Sequence, residues 1–275
     1  MTTGGTDAEG PLAPEAARAA DMRTLKLLLA RGENTAAADF AAAFEKSIAA
    51  SAPASEVRWV THGYRGLAVQ GIGNYAGAEE LLRSAEKELA AIPGAGRSQL
   101  EALSLLIANL TLQREDVAAE PAARRLVEET GAFLGPEHPD RVRALDTWAQ
   151  ALRRLRRRSE ARAAAEQAIA LGDRVLPPGH LANVNARLTL AFLLWDMRDF
   201  AAAEALGEEL LKLTAAGIGP NHPSTARAEE LMAILLSSRG AYARAGDLYA
   251  RALATFRSVY GELHPVTLRT LRNQV

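Results

Sequence analysis

The stretch VRALDTWAQALRRL sets Val142, Leu145, Ala149 and Leu152 three, four and three residues apart, one apolar stripe of a 3.6-residue period. A tight turn is predicted at Arg156 to Ser159. EARAAAEQAIALGDRVL then lays down a second stripe, Ala161, Ala165, Ala168 and Ile169. Two helices with a short connection must pack as a hairpin, and small Ala149 and Ala161 are the expected points of close approach. TARAEELMAILLSSRGAYARAGDLYARALATF repeats this layout with Ala233, Gly240, Tyr242, Ala245 and Ala252.

The layout recurs along the whole chain. Alanines stand at Ala37, Ala78, Ala119, Ala161, Ala203 and Ala245, at intervals of 41, 41, 42, 42 and 42. Three residues before each stands Asn34, Tyr75, Asp116, Arg158, Phe200 or Tyr242; two before those comes a turn column of Gly32, Gly73, Arg114, Arg156, Arg198 and Gly240. A fixed period of this length is the mark of stacked repeats. The expected fold is all-α: six helix pairs, at 14–53, 54–95, 96–137, 138–179, 180–221 and 222–263, and a final helix at 264–275. Residues 1–13 read as a disordered leader.

Composition agrees with helix. Hydrophobic residues make up 48% of the 275, but aromatics only 5%, so alanine and leucine supply the core. With 32 basic and 33 acidic residues the chain has no global field to attract nucleic acid or an anionic membrane. Cysteine is absent, which removes disulfides and thiolate chemistry, and no run of about 18 apolar residues occurs. The expectation is a cytoplasmic protein with no nucleic-acid or membrane partner.

Four of the five histidines, His138, His180, His222 and His264, also recur every 42 residues. Equivalent residues of stacked helices lie at least about 8–10 Å apart, whereas zinc ligands converge to about 2.0–2.1 Å from one point. No shared metal site is expected; the histidines mark junctions, with Pro139, Pro223 and Pro265 just inside helix starts. His62 lies off this period and is assigned no role. GIGNYAG at 71–77 has the wrong spacing for a phosphate loop and falls in the turn column. The glutamate pairs at 79–80, 128–129, 208–209 and 229–230 read as solvated faces. The basic run RRLRRR, 153–158, is interrupted by Asp146, Glu160 and Glu166 and lacks stacking aromatics, so it is no nucleic-acid stripe. No catalytic constellation and no cofactor motif stands out.

The layout HPxTxxxxxxLAxxLxxxGxYxxAxxLxxxAL resembles the tetratricopeptide repeat, in the 42-residue form of kinesin light chains and many bacterial proteins. The resemblance spans 14–275 and is strongest from 134 onward. It implies a right-handed superhelical solenoid whose first helices line a concave groove, a scaffold for protein or peptide partners. On the groove columns stand Arg143, Asp146, Gln150, Arg153 and Arg154; then Asn185, Phe192, Trp195 and Asp196; then Arg227 and Glu230. An aromatic floor flanked by arginines suits an acidic and apolar peptide. The clamp columns of chaperone-binding members hold Asp146, Gln150, Thr189, Arg227 and Leu231, which argues against recognition of a C-terminal carboxylate of that type. The alternative is a peptide- or effector-sensing module of a larger signalling system. Self-association through the end repeats is compatible with the alanine-rich first unit.

Overall fold

The computed structural model describes residues 14–52, 55–262 and 264–274, and the expected leader lies outside them. Among the described residues every regular element is α-helical, thirteen helices in all. They form two compact units, divided between Glu115 and Asp116. The first holds α1 (Pro14–Ala30), α2 (Asn34–Ser51), α3 (Glu56–Gly71), α4 (Tyr75–Ala90) and α5 (Gly96–Leu112). The second holds α6 (Asp116–Leu134), α7 (Asp140–Arg154), α8 (Arg158–Val175), α9 (Leu181–Asp196), α10 (Phe200–Gly217), α11 (Pro223–Ser238), α12 (Tyr242–Tyr260) and α13 (Pro265–Gln274).

Each hairpin turn is made the same way. The residue after the helix C-cap takes a left-handed conformation, and the next N–H reaches back to a carbonyl of the last turn: Glu33 to Leu28 at 3.0 Å, Arg157 to Leu152 at 3.0 Å, Ala241 to Leu236 at 3.0 Å. Gly32, Gly73 and Gly240 fill that place with φ of 72°, 86° and 79°, where a missing Cβ removes the steric penalty. In the middle repeats the same place is taken by Arg114, Arg156 and Arg198, with φ of 65°, 59° and 64°. The last two bear on function below.

The predicted alanine column is the hairpin seam. Ala37, Ala78, Ala161 and Ala203 are 0% exposed and Ala245 is 1% exposed. Opposite them, Ala149, Ala191 and Ala233 are fully buried, and Gly66 holds the equivalent place in α3. A Cβ on Gly66 would lie 2.8 Å from Leu82 Cγ, so the smallest side chain is required where that leucine reaches across. Leucines and a valine then fill the space between hairpins: Val184, Leu188, Leu210, Leu231 and Leu235 share one core cluster in the second unit. Dense packing of this kind leaves no room for an added methylene.

The periodic histidines are helix caps. Nδ1 of His138, His180, His222 and His264 accepts the backbone N–H two residues on, from Asp140, Ala182, Ser224 and Val266, at 3.1, 3.2, 3.1 and 3.3 Å. The ring therefore does what Ser or Asp ordinarily does at this place, satisfying a first-turn donor. Pro223 and Pro265 open α11 and α13 as expected, while Pro139 sits one place earlier, as the residue before α7.

Candidate interaction face

In the second unit the first helix of each pair packs on its own partner and also on the first helix of the next pair, α7 on α9 and α9 on α11. A chain of polar side chains ties these helices together. Asp146 of α7, only 6% exposed, accepts Thr189 Oγ1 of α9 at 2.6 Å and Gln150 Nε2 at 3.0 Å. Burial pushes its carboxyl above the usual carboxylate range, partly countered by those two hydrogen bonds and by the Arg227 charge. Arg153 Nε donates to Asp196 Oδ2 at 2.6 Å, again α7 to α9, and its guanidinium stands 5.5 Å from the Phe192 ring centre. Ser224 of α11 contacts Asn185 of α9 at 3.5 Å.

The expected groove residues thus fall into three groups. Asp146, Gln150, Arg153, Asp196 and Asn185 are engaged in the ladder between helices. Phe192 and Trp195 are half-buried and pack against the core cluster of the unit; the indole N–H of Trp195 is buried with no acceptor among the described residues. Arg143, Arg154 and Arg227 are exposed. Arg143 is bonded to Asp140 at 2.8 Å and Arg154 stands 4.0 Å from Asp116, but Arg227 makes no hydrogen bond or ion pair among the described residues. Although its side chain reaches solvent, surrounding protein desolvates the charged end. That desolvation, with the Arg269 charge behind it, lowers the Arg227 pKa, while Glu230 and Asp146 pull the other way. A guanidinium in that setting gains more than most from an added anion.

Glu230 corrects a reading of the sequence. The pair 229–230, expected on a solvated face, is buried, at 7% and 1% exposure. Arg269 Nη2 donates to Glu230 Oε2 at 2.8 Å, Thr270 Oγ1 donates to its Oε1 at 2.8 Å, and Arg251 Nε donates to Glu229 Oε1 at 2.6 Å. All three partners come from the following helices, α12 and α13, so the local pattern of α11 carried no sign of them. The columns of a chaperone-type carboxylate clamp are engaged internally as well, since Gln150 and Thr189 both bond to Asp146 and Leu231 is core.

His62, given no role from sequence, lies in the first unit with Nδ1 2.6 Å from Glu45 Oε1. Burial alone would raise the Glu45 carboxyl, but the His62 and Arg65 contacts outweigh it and hold it below its ordinary value. It is a structural tie between α2 and α3. Among the described residues no three His, Asp or Glu side chains gather as a metal site, and no helix is long and apolar enough to cross a membrane.

Residues 142–182 and 183–258 match two family models, each described as tetratricopeptide repeat. Residues 142–258 carry tetratricopeptide repeats. The matched residues begin in α7 and end in α12, where the histidine caps and the alanine seam are both regular. Solved structures share the repeat fold. Putative kinesin light chain TPR-like repeats of Podosopora anserina superpose with a TM-score of 0.59 at 20% identity, covering 72% of this chain and 94% of that one. BtubC (BKLC) from P. vanneervenii gives 0.58 at 20% identity, covering 73% and 80%. A Rap protein complexed with Competence and Sporulation Factor gives 0.61 at 12% identity, covering 88% and 77%. At such identities the likeness is one of fold. No curated protein sequence matches the chain.

Proposed function

We propose that this tetratricopeptide-repeat chain is a non-catalytic protein-interaction scaffold. The α7, α9 and α11 face of its second unit would take an extended peptide segment with acidic and apolar side chains. The observation that carries this reading is Arg227 of α11, an exposed and partly desolvated cation with no hydrogen bond or ion pair among the described residues, on the helix that packs against α9 with its half-buried Phe192 and Trp195. Arginine held without an internal anion is ready for bidentate recognition of a carboxylate, and half-exposed aromatics supply the apolar anchor typical of binding hot spots. The inter-helix ladder supports the same reading, because it fixes the backbone spacing before any partner arrives and so lowers the entropic cost of binding. A bacterial cytoplasm is the setting we infer, by analogy with BtubC.

Partner capture from native lysate tests it, with site-specific cross-linking from positions beside Arg227. Trp195→Ala and Arg227→Glu are each expected to weaken capture at least tenfold, about 1.4 kcal/mol, with helical circular dichroism unchanged. Full capture by both variants would remove this face from the function. The second reading is a peptide or effector sensor; the likeness to a Rap protein solved with Competence and Sporulation Factor favours it. Small-angle scattering with and without the captured segment separates the two, since only a sensor changes its overall dimensions.

A further inference from the structure

The arginine-rich turn between α7 and α8 carries more positive charge than the inter-helix ladder engages. Arg153, Arg154, Arg156 and Arg158 line an open cavity of about 200 Å³, with Asp196 of α9 as its one acidic wall. Arg153 is committed to Asp196 and Arg154 is loosely held by Asp116. Arg156 and Arg158 are exposed and make no hydrogen bond or ion pair among the described residues. Four guanidiniums against one carboxylate leave the lining with a net charge of 4 − 1 = +3.

Arg156 holds φ of 59° and Arg198, its equivalent one repeat on, φ of 64°, in a position that Gly240 fills in the next hairpin. A left-handed conformation is costly for any residue with a Cβ, and asparagine or aspartate tolerates it better than arginine. Neither arginine's side chain makes a hydrogen bond or ion pair among the described residues, and Gly240 shows that the turn accepts glycine at this place, so the Arg156 side chain can be removed without disturbing the hairpin.

We infer that this cavity binds the phosphoryl group of a phosphorylated serine or threonine on a partner polypeptide. A dianion with three acceptor oxygens matches clustered, planar, unpaired guanidinium forks better than a single carboxylate does. A carboxylate already occupies one wall. Asp116, Asp196 and Glu160 flank the arginines, and Arg157 is turned aside to Glu120 and Glu160, so no basic stripe continues for a nucleic-acid backbone. That occupant presupposes the peptide-binding reading above, but a short probe without apolar side chains interrogates the arginines alone.

The experiment is a titration of the full chain with the peptide acetyl-Ala-Ala-pSer-Ala-Ala-amide, its unphosphorylated twin and a single-stranded oligonucleotide, read by calorimetry and by arginine Nε–H NMR shifts. The phosphopeptide is expected to bind and its twin not to, with Arg156 and Arg158 signals moving. Arg156→Gly restores the residue the turn prefers, so it is expected to melt no lower than the wild type while weakening the phosphopeptide at least tenfold; Arg156→Gly with Arg158→Gln abolishes binding. Phosphopeptide affinity undiminished in the double variant, no discrimination against the unphosphorylated twin, or displacement of the phosphopeptide by stoichiometric oligonucleotide would each overturn the assignment. Trp195→Ala leaves this short probe bound as in the wild type, so loss of partner capture in that variant with phosphopeptide binding intact separates a failure here from a failure of the groove.

Discussion

At single positions, the repeat assigns unusual residues to ordinary jobs. Histidine replaces the common capping side chains at four helix starts, and it can do so only with Nδ1 bare and the proton on Nε2, because the backbone N–H is the donor. His222→Ala should therefore cost about 1 kcal/mol, the usual value of a lost N-cap, while His222→Asn keeps an acceptor and loses much less. Urea unfolding of the two variants measures this, and equal losses would mean that the ring matters for packing rather than for the cap. The period of 42 was plain in the sequence, and so was the conclusion that histidines so spaced cannot share a metal. The imidazole-to-backbone bond was not, since histidine is outside the set of residues from which caps are ordinarily read.

Between elements, the polar ladder decides how first helices sit on one another. Asp146 is the case with a measurable signature. Its folded pKa is raised, so its contribution to stability is fully present below the unfolded value of about 3.9 and fades as pH climbs through the higher folded value. Asp146→Asn removes that titration. Stability of the variant should fall less steeply than wild type as pH rises from about 4 toward neutrality, measured by urea midpoints across the range; identical slopes would show that another group carries the dependence. Asp146 was read from sequence as a residue facing a ligand, because a carboxylate on an inner helix face looks the same locally whether its partner is a peptide or Thr189, 43 residues away.

At the scale of the molecule, the division between Glu115 and Asp116 falls inside the third expected helix pair, in the turn between α5 and α6. The second unit has its own core cluster around Leu188, Leu231 and Leu235, its own histidine caps and both regions matching the tetratricopeptide models. Nearest-neighbour stacking makes such a run of repeats self-sufficient. A fragment of residues 116–275 is expected to keep its helical circular dichroism and to unfold cooperatively in urea. A fragment that is largely unfolded, or melts without a transition, would show that the second unit depends on the first.

The sequence by itself determined the helices, their pairing, the seam alanines and the turn column, because each depends on residues within about one period and repeats six times, so noise averages out. Only the tertiary structure decided which charged residues remain free. Glu229, Glu230 and Arg153 are paired with opposite charges and Asp146 is hydrogen-bonded by Thr189, all from other helices, whereas Arg156, Arg158 and Arg227 make no hydrogen bond or ion pair among the described residues. Charge pairing depends on distances of a few ångströms between positions tens of residues apart, and a one-dimensional pattern does not hold those distances.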